Sequence, residues 1–154
     1  MTRRSRAREV ALQLLFQHDH NPSVDRPGVE RFVQDRLRDP ALHPFCLALY
    51  DGVVGQLAEI DARLTAAAEN WRVARMASVD RNVLRIGACE LLHMPETPPS
   101  VVLDEAIELA RRFGSADSPA FVNGVLDKLR LNAECRMQNE NPNTEGRSQD
   151  QDPV

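Results

Sequence analysis

The chain has 154 residues, 42% hydrophobic and 27% charged, the proportions of one ordinary folded domain and not of a wholly disordered chain. Only 5% of it is aromatic while alanine and leucine abound, which favours helix over sheet. A net charge of −4 argues against indiscriminate coating of nucleic acid, and no apolar run reaches the roughly 18 residues that span a bilayer. The basic start lacks the continuous apolar stretch of a secretory signal, and Cys46, Cys89 and Cys135 have no paired spacing. Both features predict a reducing, cytoplasmic setting without membrane contact.

The first predicted helix covers residues 5–18, with Ala7, Val10, Ala11, Leu14 and Leu15 on one buried face. Phe16 falls roughly opposite that stripe, and Arg8, Leu12 and Phe16 form an i, i+4, i+8 ridge beside it. Asn21-Pro22 and Arg26-Pro27-Gly28 read as a loop. A second helix over 29–37 buries Val29, Phe32, Val33 and Leu37. A long third helix, 45–69, places Leu49, Val53, Leu57, Ile60 and Leu64 inside; Gly52 and Gly55 either weaken its middle or let another helix come close.

Residues 71–76 form a short amphipathic turn, after which Ser78 is a candidate cap for a helix with Asp80 in its first turn. Val79, Val83, Ile86 and Leu91 suit the core stripe of that helix. Pro95, Pro98 and Pro99 interrupt the chain before a helix over 101–113, with Val102, Ala106, Leu109 and Phe113 facing in and Gly114 ending it. Ser118-Pro119 signals the start of a last helix, to about Arg130, which carries Val122, Val125, Leu126 and Leu129. No alternating strand pattern occurs. The prediction is an all-α domain of about seven helices over residues 1–136, with a polar, disordered tail over 137–154.

Charge distribution is more informative than its sum. Of the 19 basic residues 18 are arginine, and Arg3, Arg4, Arg6 and Arg8 occupy the first eight positions with no acid among them. Such an arm is either a solvated helix start or a directed contact with an anion. Cations at a helix N-terminus oppose the macrodipole, a small cost that favours the second reading.

Catalytic chemistry finds little support. His18 and His20, and His43 and Cys46, are the only close ligand pairs, and each lacks a second pair at zinc-like spacing. No nucleophile elbow or phosphate-cradling glycine loop is present, so neither an enzyme nor a metal or cofactor site is expected. Residues 113–124 stand out instead, joining a glycine stop, a helix start and Phe121 in the first turn. Free N–H groups there suit a phosphate, and Phe121 either staples the helix or stacks on an unpaired base. Gly124 inside a helix costs about 1 kcal/mol relative to alanine, which predicts close packing or backbone approach.

Four blocks, in order, carry a resemblance: RAREVALQLLF (6–16), VDRNVLRI (79–86) with ELL (90–92), DEAIELARRFG (104–114) and SPAFVNGVLDK (118–128). Together they resemble the NusB family of bacterial transcription antitermination factors over about Arg4 to Leu129. The resemblance implies two packed three-helix bundles and a non-enzymatic role. It implies binding, with the small-subunit ribosomal protein NusE, to single-stranded boxA RNA of nascent ribosomal transcripts, as part of the RNA polymerase antitermination complex. It places Arg4, Arg6, Arg8, Gln13 and Phe16 on the RNA-facing arm and first helix, Asp117, Ser118 and Phe121 at a second RNA-facing region, and Asp80 against NusE. Two positions depart from the pattern. Phe16 stands where tyrosine is common, keeping the ring face without the hydroxyl, and Cys89 stands where an aromatic is common.

Two rivals belong to other classes. NusB-like domains also precede ribosomal RNA cytosine methyltransferases, a reading that requires an α/β domain with a dinucleotide-type glycine motif. A helical homodimer would mask the RNA surface.

Overall fold

The computed structural model describes residues 3–69 and 71–140. These contain seven α-helices and no strand: α1 (Arg3–His20), α2 (Arg26–Arg36), α3 (His43–Gly55), α4 (Leu57–Ala67), α5 (Ser78–His93), α6 (Pro99–Phe113) and α7 (Ser118–Glu140). Short 3₁₀ turns, Pro40–Leu42 and Val73–Arg75, precede α3 and α5. The first bundle is α1, α2 and α3; in the second, α4, α6 and α7 gather around α5. Because α5 also packs on α1 and α3, the two bundles share one continuous core.

The expected stripes are buried. Ala7, Val10, Ala11, Leu14 and Leu15 of α1 meet Leu49 and Val53 of α3 and Val83 and Ile86 of α5 in that core. Two glycines set the spacing around α5. A Cβ on Gly52 would lie 2.6 Å from Cys89 Sγ, and one on Gly87 would lie 2.6 Å from a Leu126 methyl. Gly52 therefore permits a close α3–α5 crossing, with Cys89 as the small partner that fills it.

Several boundaries differ from expectation, each for a local reason. Helix α2 begins at Arg26, because Asp25 accepts a hydrogen bond from the Gly28 N–H (2.9 Å) and Pro27 fits the first turn. The long helix expected over 45–69 is two. Gln56 leaves helical geometry (φ −126°, ψ 30°) just after Gly55, and this bend still buries Val53, Ile60 and Leu64 fully.

Ser78 is the first residue of α5 and not its cap; Ala77 stands there, with no side-chain hydrogen bond. Phe113 does not face in but is exposed, with the Arg112 guanidinium 5.0 Å from its ring centre. A Cβ on Gly124 would meet nothing within 4 Å among the described residues, so internal close packing does not explain this glycine. Helix α7 runs past Arg130 to Glu140, taking in the first residues of the expected tail; residues 141–154 of that tail lie outside the described residues. No helix among the described residues is long and apolar enough to cross a membrane.

Candidate nucleic-acid interface

The arm is built into α1 and is largely neutralised there. Arg3 pairs with Asp39, whose carboxyl is held below its usual value first by that hydrogen bond and then by the Ala41 N–H. Arg4 is exposed, its guanidinium 4.5 Å from the Phe45 ring centre, and it makes no ion pair among the described residues. Arg6 pairs with Glu9 (2.9 Å) and donates to the Arg36 carbonyl (3.3 Å). These partners offset the unfavourable placement of cations at a helix start.

Arg8 does not belong to the exposed arm. It is 2% exposed and donates through Nε and Nη2 to the two oxygens of Glu90 (2.9 and 2.8 Å), with Glu105 at 3.8 Å. A charge in the core persists only when it is paired and hydrogen-bonded, so this guanidinium ties α1 to α5 and is not available to a phosphate. The ridge from Arg8 through Leu12 surfaces at Phe16, which is half-buried against the core. Gln13 is also half-buried, and its Oε1 has no hydrogen-bond partner among the described residues.

The second region lies where α6 gives way to α7. Gly114 ends α6, its N–H bonded to the Ala110 carbonyl (2.9 Å), and a Cβ there would lie 2.5 Å from Ser118 Oγ. Ser118 is 2% exposed, and its Oγ accepts from the Ser115 N–H (2.9 Å). Its hydroxyl thus shapes the turn from within instead of facing a ligand. Asp117 is exposed and Phe121 half-buried. Together with Asp80, Trp71, Met76 and Ala77 they line one recess of about 310 Å³. Asp80 Oδ1 finds no hydrogen-bond partner among the described residues. Residues expected to serve two different partners, Asp80 on one side and Asp117 and Phe121 on the other, therefore share one hollow. Glu9 relates the two regions, holding Arg6 at 2.9 Å and Arg112, in the last turn of α6, at 3.3 Å.

Motif reading missed two things. Trp71, in the irregular segment before α5, is 56% exposed and crosses Phe121 edgewise at 6.2 Å. Its signal was a lone large aromatic outside any helical stripe. The second is the work done by the charges of VDRNVLRI. Asp19, at the end of α1, accepts from Arg81 (2.9 Å), Asn82 (2.9 Å) and Arg85 (3.2 Å). Arg85 also grips both oxygens of Asp61 in α4 (2.9 and 2.8 Å). Burial alone would raise the Asp19 carboxyl, but the hydrogen bonds from Asn82 and Arg81 and the charges of Arg81 and Arg85 outweigh it and hold it below its usual value. This block clamps α1, α4 and α5 together.

Comparison with known proteins decides the family. The NusB family model matches residues 5–130. The chain belongs to the NusB family. A transcription antitermination protein NusB from Sorangium cellulosum (strain So ce56) is 47% identical over 132 residues, covering 86% of this chain and 94% of that one. The crystal form of T. maritima NusB superposes with a TM-score of 0.74 at 34% identity, over 85% of this chain and 92% of that one. A structure of antitermination factors NusB and NusE in complex with double-stranded RNA shares the fold, with a TM-score of 0.76 at 24% identity over 86% and 98%.

Proposed function

We propose that this chain acts in transcription antitermination, binding single-stranded boxA RNA of nascent ribosomal transcripts jointly with NusE and without catalysis. The setting is cytoplasmic, and residues 1–136 form the binding unit. The observation that carries this reading is the recess in which Asp80, Asp117 and Phe121 converge; Arg4 and Arg6 lie at the start of α1, whose other end, at Asp19, meets Arg81 next to Asp80. Family membership supplies the class, and the NusB relatives carry antitermination in their names.

The division of labour follows from chemistry. Arg4 and Arg6 supply phosphate contacts, and Phe121 and Phe16 offer ring faces to splayed bases, the usual mode for unpaired RNA. Gln13 and Asp117 add polar contacts at those two places. Asp80, a half-buried acid lining the recess, suits a basic protein. Arg8 and Ser118 serve from inside, holding α1 and the α7 turn in position.

The test is fluorescence anisotropy of a labelled boxA-like RNA, with and without NusE. Binding that tightens with NusE is expected; no binding in either case would end the proposal. Asp80→Arg is expected to weaken NusE binding about ten-fold by calorimetry, because the reversed charge meets a basic surface. Through the helix dipole it should cost only about 0.3–1 kcal/mol of stability. Unchanged NusE affinity would remove Asp80 from the partner surface.

A further inference from the structure

Trp71 is the chain's single tryptophan and belongs to none of the four family-like blocks. More than half of it stays in water although burying an aromatic of this size is strongly favourable. Phe121 fixes its orientation, with ring planes 64° apart. The pair also divides two hollows. On one side is the recess holding Asp80; on the other is a wider groove of about 560 Å³ that includes Ala68, Gly124 and Lys128. With nothing within 4 Å of a Cβ on Gly124, α7 offers bare backbone to whatever lies in that groove.

Charge selects the kind of occupant. Lys128, which lines the groove, and Arg72 and Arg75, which follow Trp71 in the chain outside that lining, are exposed and make no ion pair among the described residues. Of the acids in the groove, Asp127 shares Arg130 (2.9 Å) with Glu134 (3.1 Å), and Glu69 makes no ion pair among the described residues. A flat apolar face, bare backbone and unneutralised cations together suit a polyanion with planar, apolar units. We propose that Trp71 is a second stacking platform. An unpaired base of single-stranded RNA lies on its open face above Gly124, and the flanking phosphates meet Arg72, Arg75 and Lys128. This inference rests on the RNA-binding reading above.

Because Trp71 is alone, its fluorescence reports the site directly. Titration of the full chain with an unlabelled boxA-like RNA of about 12 nucleotides, long enough for one such groove, is expected to quench its emission and shield it from iodide. In parallel, anisotropy of the labelled RNA should show Trp71→Ala binding about ten-fold more weakly and Trp71→Phe within about three-fold of wild type. Should Trp71→Ala melt early, the iodide measurement on wild type and the Trp71→Phe affinity still decide. Labelled RNA that binds wild type while Trp71 emission and iodide access stay unchanged would overturn the proposal and leave the RNA-binding reading intact. So would a Trp71→Ala protein that loses NusE and keeps RNA, which would make the groove a protein-docking surface. Failure of wild type to bind RNA with or without NusE would defeat both.

Discussion

The start of α1 and the surroundings of Trp71 carry similar numbers of cations but use them differently. Around α1, Arg3, Arg6 and Arg8 are each matched to a carboxylate, the last in the core. Around Trp71, Arg72, Arg75 and Lys128 are exposed without an ion pair among the described residues. Density of positive charge along a sequence is therefore a poor measure of charge available to a ligand. What counts is whether the fold has already supplied the counter-ion.

The contrast is most severely tested at Arg8. Arg8→Ala is expected to destabilise by about 3–5 kcal/mol, since it strands Glu90 in the core. Arg8→Met with Glu90→Leu should recover most of that loss. Urea titrations would check both, and a folded, fully stable Arg8→Ala protein with weakened RNA binding would return Arg8 to the exposed arm.

Phe121→Ala comes next, with an expected loss of about 1–3 kcal/mol in RNA binding and little change in its salt dependence. The ring also packs on the core and on Trp71, so melting must accompany the titration. A stable variant with wild-type affinity would rule out stacking there. Arg4→Ala with Arg6→Ala should act the other way, weakening binding to all single strands alike. For single strands the log–log slope on salt should flatten by roughly 0.7 per lost phosphate contact, so about 1.4 if both contribute. A change near half of that would mean that the Glu9 pair already holds Arg6 out of use.

The smallest effect concerns acid. The Asp19 carboxyl lies below its ordinary value in the fold, so its contribution is full above the unfolded value of about 3.9 and is lost as pH falls through the folded one. Asp19→Asn should therefore be less stable at neutral pH and lose less stability than wild type on acidification below about pH 4. Parallel curves for the two proteins would assign the clamp to Arg85 and Asp61 alone.

Much of this was legible beforehand, and the exceptions share a cause. Helical periodicity located the buried stripes of α1 and α5 because burial on a helix repeats with the backbone. It did not reveal the break at Gln56, where one glycine and a bend replace a continuous pattern, nor the outward turn of Phe113, whose ring sits under Arg112. Family likeness pointed to Arg8 and Ser118 but not to which way they face. That depends on Glu90, 82 positions away, and on a three-residue turn. Trp71 was passed over for the opposite reason: it stands at the edge of a short turn, outside any helical stripe.

The close crossing of α3 and α5 at Gly52 also settles the reactivity of the thiols. Cys89 is sealed against that glycine and Cys46 lies fully inside, and burial pushes them up to about 11 and about 12 respectively, well above the range in which a thiolate forms at neutral pH. Cys135 alone is exposed, on α7 where it shares a hollow with Arg63 and Ala66 of α4. The native chain thus presents a single handle to a maleimide or an oxidant, one helical turn beyond Leu131 at the edge of the Trp71 groove. A dye or spin label could be attached there without altering any residue that holds the fold together.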